Sequence, residues 1–431
     1  MKIFGGKTKE EFAWAFYDWA NSVYSLVITT AIFPIYFGAV LSKENVSVFG
    51  LNFSDKDILY SYSITASFVL VVILSPILSA LSDRIGNKKI FLQIFTILGA
   101  LGCSSLFFFR GEDTLWIGIL GSVTASLGYW GSLVFYNAYL PEITAPENQD
   151  KLSATGFIYG YIGSAILLKL CLVLILGVGE HLTPYAFLLV GVWWIGFAQY
   201  TFAHVPKTYS HPEERQKASW YKAHHELYKV GRTLMSYASL KWFLLAFFFL
   251  SVGIQTINYM ASRFGDEELK LESSKLIITI LVIQYVAVIG SYTFARLSKR
   301  FGNLNALQIG LLVWAGICIA AFLMRADNPW VEYQFYALGA AVGMVLGGVQ
   351  ALTRSTYSKL LPKSMDNATF FSFYDIVEKI ALILGSFTFA QVLFLTGSMQ
   401  YSALTLAIFF IAAIAILQAM KSLQRSKNQL E

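Results

Sequence analysis

The sequence predicts an all-α integral membrane protein of twelve transmembrane helices, arranged as two parallel six-helix repeats with both termini in the cytoplasm. Three observations lead there: the apolar composition, an internal repeat, and the distribution of Lys and Arg. Hydrophobic residues make up 56% of the 431, aromatics 16% and charged residues only 13%, against about 25% charged in a soluble domain. The mean hydropathy is +0.58. A soluble chain could not cover so much apolar surface, whereas hydrocarbon makes its exposure favourable.

Reading windows of about 19 residues gives six spans in the first half, 14–40, 59–82, 89–109, 115–139, 154–176 and 184–203. Six more follow in the second half, 239–260, 274–296, 304–324, 331–358, 370–395 and 400–420. Each is long enough to cross a hydrocarbon core of ~30 Å as a helix. The first does not read as a cleavable signal peptide, because it carries Asp18 and Asn21, runs long and lacks a small-x-small cleavage site. Residues 204–238 are the longest polar stretch and contain Pro206 and Pro212. The expected organisation is therefore an N-terminal bundle over 1–203, a cytoplasmic linker over 204–238 and a C-terminal bundle over 239–431.

The repeat is legible in two motifs. Leu81-Ser82-Asp83-Arg84-Ile85-Gly86-Asn87 returns as Leu297-Ser298-Lys299-Arg300-Phe301-Gly302-Asn303, nearly half the chain later. Tyr136-x-x-x-Leu140-Pro141 returns at almost the same offset as Tyr357-x-x-x-Leu361-Pro362. Duplication in so apolar a chain is a mark of many secondary transporters.

Lys and Arg set the orientation. With the N-terminus inside, the inner segments hold roughly three times as many basic residues as the outer loops. Arg84, Lys88 and Lys89 fall inside, as do Lys299, Arg300 and the basic residues of the linker; Lys43, Lys56, Arg110, Arg263, Lys270, Lys275 and Arg325 fall outside. The formal charge of +6 thus calls for no nucleic-acid partner. Six spans return the chain to its starting side, so the repeats are parallel and a pathway is expected between them.

Gly86 and Gly302 permit tight turns after the second and eighth spans, and Arg84 and Arg300 face the inner headgroups. Asp83 could hold an inter-helix charge pair that breaks on opening. Because Lys299 replaces it in the second copy, such a gate is expected in the N-terminal half alone.

Ionisable groups within spans are costly and usually purposeful, ~2.5 kcal/mol or more at mid-depth. Asp18 with Asn21 is either an end anchor or a proton or cation site. In span 11, Asp375 and Lys379 share a helical face in the favourable acid-before-base order. Glu378 points about 100° from Lys379, so those two neighbours are not expected to pair. The cluster is either self-neutralised or a place where Lys379 receives a substrate carboxylate while an acid titrates. Arg354, with Gln350 one turn before it, is expected to pair with Asp375 as a lock between helices. Lys169 reads as a snorkelling residue, and Gln255, Asn258 and Gln284 as hydrogen-bonding pore positions. Gly156-x-x-x-Gly160 and the Gly339, Gly343, Gly347 series allow close helix approach. Trp116, Trp193, Trp194 and Trp330 suit interfacial belts. Cys103, Cys171 and Cys318 lie in apolar runs and read as small core residues.

The loop after the second span resembles the signature G-x-x-x-D-R-x-G-R-K/R of the major facilitator superfamily. Asp83, Arg84, Gly86 and Lys88 match it, while Ser79 and Asn87 depart from it. Tyr17-Asp18-Trp19-Ala20-Asn21-Ser22 looks like the opening motif of the vacuole effluxer-like branch. Tyr136–Glu142, Gly347–Ser355, and Phe370-Phe371-Ser372-Phe373-Tyr374 followed by Lys379 look like its later motifs. The resemblance implies the major facilitator fold and a permease. The branch includes fungal vacuolar proteins implicated in amino-acid efflux, so it points to amino acids as one substrate class.

No G-x-x-x-x-G-K-[ST] is present to couple ATP, and His224-His225-Glu226 is not a zinc motif. An enzyme activity, a cofactor and a metal are not expected. Transport is expected to run on gradients, with a small solute and a proton or sodium as coupling ion, in a monomer of a bacterial inner membrane. Asn45 and Asn52 match the glycosylation pattern by chance. Two alternatives stay open: a porter for sugars, drugs or anions, and a non-transporting sensor or scaffold.

Overall fold

A computed structural model of the protein describes residues 8–41, 45–53, 55–207, 220–362 and 366–428. Among these are 12 helices long and apolar enough to cross a membrane. Spans 1 to 6 are Lys9–Val40, Ile58–Ile85, Lys88–Phe108, Glu112–Ile143, Pro146–Gly177 and Glu180–His204. Spans 7 to 12 are Ala238–Glu268, Ser274–Phe301, Asn303–Leu323, Val331–Leu360, Asn367–Thr396 and Met399–Leu423. The expected spans lie within these helices to about a residue, and most helices continue past the apolar window. The middle of the linker, Lys43 and Ser54 of the first outer loop, and Lys363 lie outside the described residues.

Local chemistry explains several helix ends. Thr8 and Glu11 form a reciprocal capping box: Glu11 N donates to Thr8 Oγ1 at 3.1 Å and Thr8 N to Glu11 Oε2 at 2.8 Å. Gly86, with φ +70°, turns the chain out of span 2. Asn87 then caps span 3 by accepting from Ile90 N at 3.4 Å. Span 1 is not uniform. It widens into a π-helix over Tyr24–Ile32 before Pro34 restarts an α-helix, and Thr30 Oγ1 reaches back to Ser25 O at 2.9 Å. Such wide turns are rare and cluster at functional positions.

Two features were not anticipated. The first outer loop forms a hairpin of β1 (Val46–Val48) and β2 (Leu51–Phe53), with Val46 opposite Phe53. Phe49 and Gly50 both have positive φ at its tip, as a two-residue turn of this hand requires. Within the polar linker, Trp220–Ser236 is helical.

The chain divides into two compact units. Unit 1 comprises Met1–Ile143, Tyr159–Leu227 and Met365–Ser372; unit 2 comprises Thr144–Ile158, Tyr228–Ser364 and Phe373–Glu431. In unit 1, span 3 packs on spans 4 and 6, span 1 on span 6, and span 2 on span 4. In unit 2, span 9 packs on spans 10 and 12, span 7 on span 12, and span 8 on span 10. The same pairings recur six spans later, which is the three-dimensional form of the sequence repeat. Each unit also takes one short segment from the other half of the chain.

Small residues set the closest helix approaches. A Cβ on Gly343 of span 10 would stand 2.6 Å from Ile283 O on span 8. The three cysteines are buried and unbridged, as apolar core residues should be. Trp116 and Trp330 are exposed near helix ends, but Trp194 is fully buried. It does not belong to an interfacial belt; its ring fills space left by Gly99 on span 3 and lies 6.0 Å from Tyr24. Gly343→Val should destabilise the protein by about 1–3 kcal/mol through overpacking against rigid backbone, read as a lowered midpoint of thermal unfolding in detergent.

Candidate functional site

Three groups of buried polar residues stand out, and each lies within one unit. The first surrounds the loop between spans 2 and 3. Asp83 faces the first turn of span 11, where it accepts from Thr369 N at 2.7 Å, Thr369 Oγ1 at 2.8 Å and Ala368 N at 3.2 Å. A helix start leaves its N–H groups unsatisfied and carries a positive partial charge, so a carboxylate there is doubly favourable. Lys88 Nζ lies 3.6 Å from Asp83 Oδ1 and pairs with Glu142. Glu142 Oε1 in turn accepts from Asn367 Nδ2 at 2.7 Å. Two acids and one lysine thus clamp a helix start drawn from the other half of the chain. Arg84 sits in the last turn of span 2, part-buried.

The second group, in unit 2, surrounds the duplicated loop. Its acid is Asp150, near the start of span 5. Ser298 Oγ donates to Asp150 Oδ2 at 3.0 Å and Asn303 Nδ2 to Oδ1 at 2.8 Å, while Lys359 Nζ lies 2.7 Å from Oδ1. Arg354 fixes the next turn of span 5: its Nε donates to Ser153 Oγ at 2.9 Å and its guanidinium to Ser153 O at 2.9 Å. The same guanidinium lies 4.4 Å from the centroid of the Phe157 ring. Arg300 is exposed over Phe301 and joins none of these contacts.

Two expectations change here. The grip is not confined to the first half: the second loop, lacking an acid at Lys299, offers donors at Ser298 and Asn303 to an acid on the gripped helix. The polarity is reversed and the geometry retained. The Arg354–Asp375 lock does not form, because Ser153 and Phe157 engage the guanidinium and Asp375 faces Lys379.

The third group is the buried cluster on span 11. Lys379, 1% exposed, lies about 18 Å along the axis from Asn367 at ~1.5 Å per residue, near the middle of the helix. Its Nζ is 2.8 Å from Asp375 Oδ1 and 3.5 Å from Glu378 Oε2. The second contact corrects the expectation that Glu378 and Lys379 stay apart; both side chains are long enough to bend towards each other despite the 100° between their Cα directions. Gln255 of span 7 donates to Glu378 Oε1 at 2.6 Å. Asp375 Oδ2 is buried with no hydrogen-bond partner. Gln350 is part-buried on span 10, where its carbonyl accepts from Thr353 Oγ1 at 2.9 Å.

In unit 1, Asp18 is buried and accepts from Tyr136 Oη at 2.8 Å. The Tyr136 backbone is held in turn, since Trp14 Nε1 donates to its carbonyl at 2.8 Å. Asn21, one turn on, is 1% exposed and its Nδ2 has no partner. Gly160 of span 5 lets that helix approach Ser22 and Asp18 O closely. Lys169 is exposed.

Sequence reasoning missed Asp150, Ser153, Glu142, Lys359 and Thr369. Asp150 carried a faint signal, as an acid just inside a long apolar helix; Ser153 and Thr369 carried none.

The twelve candidate spans, in two units with the same internal pairings, agree with what the relatives of the chain show: a multi-pass integral membrane transporter of the major facilitator superfamily. The chain belongs to the vacuole effluxer Atg22-like family, whose profile matches residues 6–431. It is 32% identical over 418 residues to the uncharacterized MFS-type transporter YxiO of Bacillus subtilis, covering 95% of this chain and 94% of that protein. It is 26% identical over 402 residues to autophagy-related protein 22 of Eremothecium gossypii, covering 86% and 78%. Its fold is similar to that of a bacterial homologue of the iron transporter ferroportin in an outward-facing state, with TM-score 0.68, 14% identity, and 96% and 98% of the two chains covered.

Asp83→Ala should free the start of span 11 by about 1–2 kcal/mol. Amide exchange at Ala368 and Thr369 should accelerate accordingly, while Asp83→Asn, which keeps an acceptor, should have a smaller effect. Unchanged exchange in Asp83→Ala would show that the cap is not needed.

Proposed function

We propose that this transporter moves a small polar solute bearing a carboxylate, with amino acids as the first class to test, by alternating access coupled to protons. The observation that carries this reading is the composition of the span 11 cluster: two acids share one lysine near mid-helix. With Asp375 and Glu378 both ionised, the cluster holds a net negative charge in a place where hydration is poor, a costly state. Taking up one proton neutralises it. A substrate carboxylate that reaches Lys379 competes with Asp375 for the ammonium, and the displaced acid then takes a proton in its place. Solute and proton are thereby linked without any cofactor. Asp375 Oδ2, already lacking a donor, is the atom suited to receive that proton, and Gln255 holds Glu378 in position.

In the same reading the two loop grips form a gate on the cytoplasmic side, with both termini in the cytoplasm of a bacterial inner membrane. Each grip joins a loop of one repeat to the first turns of a helix from the other, so both must break before the halves can part at that end. Asp18 and Asn21 are further pathway residues: Asn21 Nδ2 is a buried donor lacking an acceptor, placed one turn from a carboxylate and just before the π-helical segment of span 1. The coupling ion is a proton rather than sodium because Asp375 and Glu378 are already committed to a lysine and a glutamine, and offer no cage of several oxygens.

Purified protein in proteoliposomes, screened with radiolabelled amino acids under an imposed pH gradient, tests this. Lys379→Ala should lower uptake at least about tenfold, as loss of one partner from a buried charge cluster does. Asp375→Asn should retain solute exchange at equal pH yet lose acceleration by the gradient. Uptake by Lys379→Ala at the native rate would refute the proposed site.

A further inference from the structure

Many cations of this chain are committed. Lys88 pairs with Glu142, Lys359 with Asp150, Lys379 with Asp375 and Lys275 with Glu332, while Arg354 holds Ser153. Arg296, Lys299 and Arg300, in the last two turns of span 8, differ. All three are exposed, and among the described residues none forms an ion pair. The Arg296 guanidinium lies 4.3 Å from the centroid of the Tyr292 ring, and that of Arg300 lies 5.1 Å from the centroid of Phe301. Stacking of this kind uses the face of a guanidinium. Its in-plane N–H groups stay free to take an anion, and their fork matches two phosphate oxygens.

A helix end alone does not account for this group. Cations favour the C-terminus of a helix, but the effect fades within the last turn, and Arg296 stands five residues before Phe301. The rest of the helix says more. Ile278, Ile289 and Tyr292 are exposed on the same span. At about 100° per residue, these three and the three cations fall within roughly 100° of arc. Ala287, Ser291, Phe294 and Ser298, all buried, occupy the other side. One face of span 8 therefore runs as exposed hydrocarbon, then tyrosine, then three cations. Ile289 lies ~10 Å along the axis from Arg296, well inside one leaflet of a ~30 Å core. Apolar stem, amphipathic aromatic and cationic end are the order an anionic amphiphile would match. A soluble anion would have no use for the apolar part.

We propose that Arg296, Lys299 and Arg300 bind the phosphate of an anionic phospholipid, whose acyl chain lies along Tyr292 and Ile289. The site shares no residue with the span 11 cluster, so it stands or falls separately from the solute and its coupling ion.

The test uses full-length protein in nanodiscs of phosphatidylcholine alone or with about a third phosphatidylglycerol, with hydrogen–deuterium exchange read over residues 292–303. Anionic lipid should slow exchange there roughly tenfold, and raised salt should remove most of the effect. Arg296→Gln with Lys299→Gln and Arg300→Gln should abolish the lipid dependence at an unchanged unfolding midpoint. Lys9→Gln, at an exposed cation elsewhere, should leave it intact. Arg296→Lys with Arg300→Lys conserves the charge, and so serves if the triple variant folds poorly; it should cut the dependence roughly threefold through loss of the fork. Equal exchange in the two membranes, or full lipid dependence in the triple variant, would overturn the site. So would equal protection by soluble glycerol phosphate in phosphatidylcholine discs, since that is an anion site without a lipid.

Discussion

A helix that begins against other protein must find acceptors for its first N–H groups, and span 11 finds them on span 2, at Asp83. This cross-chain cap is the contact on which the rest of the arrangement depends. It places the start of span 11 in the first compact unit, although the remainder of that helix belongs to the second. It also explains the companion acid. One carboxylate accepts from backbone and hydroxyl while Glu142 holds the Asn367 side chain, and Lys88 offsets their mutual repulsion. Nothing here would persist if hydrated, because each exposed ion pair would contribute little. Burial makes the contacts mutually dependent.

The second grip shows how a duplicated architecture keeps a contact while exchanging the chemistry. The second copy keeps Leu297-Ser298-x-Arg300-x-Gly302-Asn303, yet here the carboxylate lies not in the loop but at Asp150, on the helix being held. Ser298, Asn303 and Lys359 supply the donors. Arg354 extends the grip one turn deeper with a fork of hydrogen bonds to Ser153 that a lysine could not reproduce. Mid-helix charge is treated differently. Lys379 meets two acids at once, Asp375 at 2.8 Å and Glu378 at 3.5 Å, an imbalance of charge that burial makes unfavourable.

The fold was legible to a high degree because its signals are additive over many residues. Twelve apolar windows and a repeated loop survive errors at any one position. Lys379 and Asp375 were legible because their spacing of four places them on one helical face whatever the tertiary context. What could not be read were contacts between residues far apart in the chain: Asp83 with Thr369, Asp150 with Asn303, Asp18 with Tyr136. Arg354 illustrates the difficulty. Its depth suited a pair with Asp375, but serine and phenylalanine on span 5, unremarkable in sequence, provided the better-shaped site. Trp194 was misplaced for a related reason, since its proximity to Trp193 concealed that adjacent residues on a helix face different surroundings.

Spin labels at positions 151 and 299, both exposed and flanking the Asp150 grip, offer the most direct test of whether these grips are a working gate. Pulsed dipolar spectroscopy on the protein in nanodiscs, with Asp150→Asn and Arg354→Ala compared with the native residues, reads the distance between them. A gate predicts one short distance in the native protein and a second, longer population that grows in the variants. A single short distance under every condition would mean that the contacts are fixed scaffolding, and the proposed alternating-access role for them would be wrong.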